Sequence, residues 1–160
     1  MDTPSPITTP AAVVEDARAR ILELGELLWS AKPAGDLLAV VRSIESMKST
    51  LEAVELSVVN EIDATKAAGT DQYASAKDFV TAVAGTRRGA GSGQVRLARA
   101  VCTDYRDTHT ALADGWLSRD KARVIVRTLD RLPVKPSLRA AGEKVLLEEA
   151  TRLCVEDLET

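Results

Sequence analysis

One uninterrupted helical pattern dominates the first half of the chain. Between Asp36 and residue 67, apolar residues recur at steps of three and four, and most charged residues fall on the other side of the same helix. The apolar positions are Leu37, Val40, Val41, Ile44, Met47, Leu51, Val54, Val58 and Ile62. The pattern predicts a single helix of roughly 30 residues, some 45 Å long. A helix of this length needs a partner, either residues 11–31 in antiparallel orientation or a second chain.

The remaining segments are also typical of helices. Residues 11–31 repeat apolar side chains with helical spacing, and residues 74–160 divide into shorter helical stretches separated by glycine and proline. The chain has one Phe, two Trp and two Tyr among 160 residues, a composition that suits helix packing better than a β-sandwich. We therefore predict an all-α fold. Residues 1–10 are expected to be disordered, and residues 11–160 form one domain with a long helical hairpin or arm (11–68) and a short-helix bundle (74–160).

Charge is distributed unevenly along the chain. Residues 1–85 carry 7 Lys and Arg against 13 Asp and Glu, whereas residues 86–131 carry 10 against 5. A basic middle third inside a chain of net charge -3 is what a local surface for a polyanion would look like. The sequence has no signal peptide, no membrane-spanning run and no disulfide framework around its two cysteines, so a cytoplasmic location is expected.

The segment Gly115-Trp116-Leu117-Ser118 separates two predicted helices by a turn short enough for a helix-turn-helix unit. In the second helix, capped by Ser118, the apolar stripe turns a basic face to the solvent. The stripe consists of Ala122, Ile125, Val126 and Leu129, and the basic face of Arg119, Arg123, Arg127 and Arg131, with Lys121 at its edge. Guanidinium groups spaced in this way can contact phosphates or guanine edges. The alternative is an ordinary solvated face, partly neutralised by Asp120 and Asp130.

A second basic cluster surrounds the glycine-rich loop before residue 92. Arg87 and Arg88 lie in that loop, and Arg96 and Arg99 follow on the next predicted helix. Backbone amides at a helix start together with flanking arginines can hold a phosphate. The glycine run is not a P-loop, because no Gly-Lys-Ser/Thr follows it and no buried strand precedes it, and a plain flexible loop is the alternative.

The sequence predicts no catalytic residues, no metal site and no cofactor. His109 has neither a second His nor a Cys at ligand spacing, and no carboxylate pair has the arrangement of a general acid and base. With so few aromatic residues, a platform for stacking single-stranded bases is also disfavoured. Binding is therefore the expected activity.

The order of these segments resembles a known family. It is carried by "SGQVRLARAV", "THTALADGWLSRDKARVIVRTLDRLP" and "LEEATRLCVEDLET". The most specific part runs from Ala111 to Ser118, continues from Lys121 to Ile125 and ends with Leu132-Pro133. It is similar to the signature AL-x-x-G-x-[IL]-[ST]-x-x-[QK]-A. Over residues 20–160 the chain resembles the actinobacterial domain of unknown function 222, the thirteen-E-twelve repeat family.

The resemblance implies a link to DNA, because this family's domain commonly precedes an HNH endonuclease module. Such a module needs a His pair and an Asn around a divalent metal, and this sequence has His109 and Asn60 alone. The chain ends just after a helix is predicted to begin, which fits a piece of a longer protein or a short stand-alone relative. We expect a non-catalytic domain that binds double-stranded DNA. The alternative is a protein-interaction or oligomerisation module, with a homodimer formed through residues 36–67.

Overall fold

The computed structural model describes residues 9–87 and 89–159. This part of the chain contains eight α-helices and no β-strand, which confirms the predicted all-α class. Residues 1–8, which include most of the segment predicted to be disordered, lie outside the described residues, as does Thr160. No described helix is both long and apolar enough to cross a membrane. The helices are α1 (Pro10–Leu22), α2 (Ala34–Thr65), α3 (Ala76–Val83), α4 (Ala90–Thr103), α5 (Arg106–Ala113), α6 (Arg119–Asp130), α7 (Pro136–Ala150) and α8 (Val155–Leu158).

The chain divides into two compact units within α2, the first ending at Val40 and the second beginning at Val41. In the first unit, the hydroxyl of Thr9 accepts a hydrogen bond from the backbone N–H of Ala12 and so caps α1. The prediction of one helix over residues 11–31 is wrong, because α1 ends at Leu22 and short 3-10 turns follow. Leu27 adopts an extended backbone conformation, which cannot be part of an α-helix.

Helix α2 has the predicted length and contacts the rest of the second unit through a face of small and apolar residues. Its buried positions are Ser49, Ala53, Leu56 and Val59. At the edge of this face, the hydroxyl of Thr50 donates to the carbonyl oxygen of Ala113 at 3.0 Å, which ties α2 to the end of α5. The predicted apolar face is a different one, and from Ile44 to Val58 its large side chains remain exposed.

Helix α6 lies at the centre of the second unit. Its buried residues are Ala122, Val124, Ile125, Val126 and Leu129. Val124 lies outside the predicted apolar stripe, so α6 is enclosed on more sides than the sequence pattern indicates. Around it pack the largest fully buried side chains of the neighbouring segments, which are Leu56, Val101, Tyr105, Leu112 and Leu117.

The turn between α5 and α6 lies at the predicted position, and Ser118 is the N-cap residue of α6 as predicted. Gly115 has a φ of 82°, in the left-handed region that favours glycine. A Cβ atom at this position would stand 2.1 Å from the hydroxyl oxygen of Ser46 and 3.0 Å from its carbonyl oxygen, so a side chain here would have to displace the Ser46 hydroxyl on α2. Ser118 caps α6, because its hydroxyl accepts from the backbone N–H of Lys121 at 3.3 Å. The use of this helix pair to read DNA stays a prediction.

A buried carboxylate connects α5 with α7. Glu143 is only 4% exposed, and one of its oxygens accepts from both the backbone N–H and the hydroxyl of Thr108, each at 2.8 Å. Thr108 lies in the first turn of α5, where backbone N–H groups have no partner inside the helix. The contact therefore satisfies the start of α5 and holds it against α7.

We predict opposite effects for two alanine substitutions in α4. A Cβ atom at Gly91 would lie 2.1 Å from the carbonyl oxygen of Lys77, whereas nothing lies within 4 Å of one at Gly93. Gly91→Ala should lower the free energy of unfolding by about 1–3 kcal/mol, because α3 must move away. Gly93→Ala should leave it unchanged or raise it by about 0.5–1 kcal/mol, since alanine favours helix. Urea denaturation of both variants measures this, and equal effects would contradict the close approach of α3 and α4.

Candidate nucleic-acid interface

A groove of about 500 Å³ runs between the first half of α4 and the solvent-facing side of α6. We call it the arginine groove, because four of its ten lining residues are arginines, contributed by both helices. The α4 side consists of Gly89, Ala90, Gly93, Arg96 and Leu97, and the α6 side of Arg123, Val126, Arg127, Asp130 and Arg131. The two basic clusters predicted from the sequence thus each contribute to one concave surface.

The arginines of the groove differ in how far they are neutralised. Arg123 lies 3.6 Å from Asp120, and Arg127 contacts Glu159 beyond the end of α8. Their side chains are 49% and 52% exposed, so both ion pairs are open to solvent and weak. Among the described residues, Arg96 and Arg131 form no ion pair. The lining therefore carries four guanidinium groups against the single carboxylate of Asp130, which makes this surface attractive to an anion.

Asp130 is held by a buried tyrosine. The phenol of Tyr105 donates to a carboxylate oxygen of Asp130 at 2.9 Å, and Tyr105 itself is only 1% exposed. Burial, together with the hydrogen bond and the charge of Asp130, raises the pKa of Tyr105 to about 12. The phenol consequently keeps its proton at neutral pH and keeps donating it to Asp130, so one oxygen of that carboxylate is engaged away from any ligand in the groove.

Glycine makes the α4 side of the groove unusually open. Gly89 is the N-cap residue of α4 with a φ of 91°, and Gly93 has no other atom within 4 Å of where a Cβ would stand. No side chain at either position covers the first turn of α4, where the helix dipole contributes partial positive charge. The N–H of Gly91 in this turn donates to the hydroxyl of Thr81 at 3.2 Å. The charge of the dipole adds to that of the arginines across the groove.

The other predicted contact residues with described side chains on α4 and α6 form contacts to other helices of the chain. Arg99 donates to Asp63 of α2 at 2.6 Å, a hydrogen bond that lowers the pKa of Asp63. Arg119 donates to Glu52 of α2 at 3.1 Å, and burial together with the neighbouring charge of Glu55 raises the pKa of Glu52 despite this contact. The ammonium group of Lys121 donates to the carbonyl oxygen of Ala150 at 2.7 Å. These three side chains connect helices and do not line the groove.

Two predicted residues precede α4. Arg87 is exposed but does not line the groove, and Arg88 lies outside the described residues. Conversely, the sequence interpretation missed two residues that contact charged groups of the groove. The phenol of Tyr105 donates to Asp130, and the carboxylate of Glu159 pairs with Arg127. The only available signal was the acidic character of the last five residues. The partner of an acidic side chain in another segment cannot be read from spacing along the chain.

His109 lies outside the groove, and its ring contacts α2. Its Nε2 atom lies 2.8 Å from the hydroxyl oxygen of Ser57 and 3.2 Å from the carbonyl oxygen of Ala53, both on α2. In the part of the chain that the structure describes, no three or more His, Cys, Asp or Glu side chains are grouped so that they could hold a metal ion.

Comparison with known proteins gives one match. A family model described as "Domain of unknown function (DUF222)" matches residues 38–160, which is more than half of the chain. No curated protein and no solved structure matches. The match covers all of the second unit, including both sides of the arginine groove.

We predict that Tyr105 makes the protein less stable at high pH. The phenol has an ordinary pKa of about 10 in the unfolded chain and of about 12 in the folded one. Its stabilising effect is complete below the unfolded pKa and is lost as the pH rises through the folded pKa, by on the order of 2–3 kcal/mol. Urea denaturation at a series of pH values from 8 upwards measures the free energy of unfolding. This free energy should fall further with pH in wild type than in Tyr105→Phe, by on the order of 2–3 kcal/mol. Parallel pH profiles of the two proteins would contradict the raised pKa.

Proposed function

We propose that this chain, which belongs to the family described as domain of unknown function DUF222, binds double-stranded DNA through the arginine groove. The observation that carries the proposal is the convergence of Arg96, Arg123, Arg127 and Arg131 on one concave surface, whose described lining includes the carboxylate of Asp130 alone. Two of these arginines have no ion-pair partner among the described residues. The net charge of the whole chain is -3, but this surface is locally positive and therefore attracts a polyanion.

The shape of the groove favours contacts with phosphates over contacts with bases. Arg123 and Arg127 lie one helical turn apart on α6, and Arg131 follows one turn later as its C-cap residue. This spacing lets the three arginines follow a sugar-phosphate backbone. None of the described residues that line the groove is aromatic, so stacking of unpaired bases has no support. Because α6 is enclosed on its other sides, only a narrow face of it can approach a duplex. We therefore expect binding with little dependence on base sequence.

The proposal assigns no catalytic step to this chain. The family resemblance implies that relatives combine this domain with an HNH nuclease, and in such a protein the domain would hold DNA while another module cleaves it. A cytoplasmic location belongs to the same proposal. The two cysteines, Cys102 and Cys154, are free thiols, which agrees with a reducing compartment.

The first test is a double charge reversal in the groove. Wild type should bind a labelled mixed-sequence duplex in fluorescence anisotropy, with affinity that falls steeply as salt increases. Arg123→Glu with Arg127→Glu should weaken binding by roughly 100-fold, because two phosphate contacts become repulsive, and should reduce the slope of log Kd against log salt by about 2. Circular dichroism should show the same helix content in both proteins.

The matched control changes the net charge equally elsewhere. Arg42 and Lys144 are exposed on α2 and α7 and do not line the groove. Arg42→Glu with Lys144→Glu should weaken binding only a few-fold, by long-range repulsion. Equal losses in the two double variants would show that net charge and not the groove determines affinity. No binding by wild type at low salt would overturn the proposal.

The second test removes the acidic neighbour of Arg127. Glu159→Gln frees that guanidinium and removes a negative charge beside the groove. We expect roughly two- to fivefold tighter DNA binding and a steeper salt dependence, consistent with the energy of an exposed ion pair. Glu148→Gln is the control, because Glu148 pairs with the exposed Arg152 outside the groove. Unchanged affinity in Glu159→Gln would mean that Arg127 does not contact DNA.

A further inference from the structure

Five large apolar side chains on α2 face the solvent in a single row. We call this row the α2 stripe, and every member belongs to the second unit. Its members are between 44% and 52% exposed, and they are Ile44, Met47, Leu51, Val54 and Val58. Scattered exposed apolar residues need no explanation, but a continuous row does.

The stripe has the spacing of a coiled-coil seam. Its members follow one another at steps of three, four, three and four, which are the a and d positions of two heptads. The opposite face of the same helix, from Ser49 to Val59, is buried in the bundle. The bundle therefore covers the opposite face of α2 and leaves the seam facing outward, so a partner would dock on a helix that is already formed.

Charges beside the seam distinguish among the possible arrangements with a second copy. Lys48 and Glu55 directly follow Met47 and Val54, so they occupy successive e positions, which flank the apolar seam of a coiled coil. In an antiparallel pair that sets Leu51 opposite Val54, each Lys48 faces Glu55 of the second copy, which gives two attractive pairs. Shifting the copies so that Leu51 lies opposite Met47 brings Lys48 against Lys48. In a parallel pair, Lys48 and Glu55 face only Ser43 and Thr50.

We propose that the α2 stripe binds a second copy of this chain, in antiparallel orientation, with Leu51 opposite Val54 and Met47 opposite Val58. A two-fold axis between Leu51 and Val54 makes the interface self-complementary and closes the assembly at two chains. The four apolar layers are a small interface, so we expect a dissociation constant on the order of 10 µM. This inference does not depend on DNA binding, because the arginine groove and the stripe share no residue.

The oligomeric state is the first measurement. In sedimentation velocity at concentrations above the expected dissociation constant, wild type should have twice the 17.1 kDa mass of one chain. Leu51→Asp should raise the dissociation constant by at least roughly 100-fold, since a carboxylate would be buried in the seam. Val145→Asp is the matched control. Val145 is also apolar and exposed, at 58%, but lies on α7, so this variant should dimerise like wild type.

A charge swap tests the orientation. Lys48→Glu should weaken dimerisation by roughly tenfold, because it places two glutamates opposite each other on both sides of the two-fold axis. Glu55→Lys should do the same with lysines. The double variant Lys48→Glu with Glu55→Lys should restore the affinity of wild type. Circular dichroism checks each variant, since Glu55 also accepts a hydrogen bond from Gln94 within the chain.

Three results would overturn the proposal. A wild type that stays monomeric at the highest concentration would show that a second copy does not cover the stripe, and would leave it to another segment or another protein. A dimer that survives Leu51→Asp would use a different surface. Failure of the double charge swap to restore dimerisation would contradict the antiparallel register. DNA binding by a strictly monomeric protein would leave the arginine groove proposal intact.

Discussion

The burial of α6 among its neighbouring helices determines which of its basic side chains can face the solvent. Five of the twelve residues of α6 are buried, which leaves a narrow arc of the helix in contact with solvent. Arg123 and Arg127 lie on that arc, Arg131 follows as the C-cap residue of the helix, and α4 closes the arc on one side to form the groove. The left-handed turn at Gly115 and the cap at Ser118 fix the residue at which α6 begins, and thereby which side chains fall on the exposed arc.

Arginine serves two different purposes in neighbouring parts of the bundle. Arg99 and Arg119 each pair with a carboxylate on α2 and so contribute to holding helices together. Arg96 and Arg131 have no such partner in the described part of the chain, and their charge remains available. The distinction is sharpest for Arg119, because its side chain is 30% exposed and its partner Glu52 only 11%, so releasing Arg119 to a ligand would leave a largely buried carboxylate unpaired. The side chain of Arg99 is 66% exposed, and its pair with Asp63 is more open to solvent.

Local patterns predicted the helices well and their partners poorly. The period of 3.6 residues identified α2 and α6, and short-range chemistry identified Ser118 as a cap. The same pattern could not tell which face of α2 enters the bundle, because small residues such as Ser49 and Ala53 permit a close approach without standing out as apolar. Nor could it separate Arg119 from Arg123, since the partner of Arg119 lies 67 residues away.

The connections made by α2 also bear on how this chain reaches its native state. Helices α3 to α8 contact mostly their neighbours in sequence, as in the pairs α3 with α4 and α6 with α7. Helix α2 instead binds segments 36 to 67 residues away, through contacts such as Arg99 with Asp63 and Arg119 with Glu52. Each of these contacts closes a long loop and carries the corresponding entropic cost. Docking of α2 is therefore the step of highest contact order, although contacts such as Thr108 with Glu143 also join residues 35 positions apart. We expect docking of α2 to be the slowest step of folding.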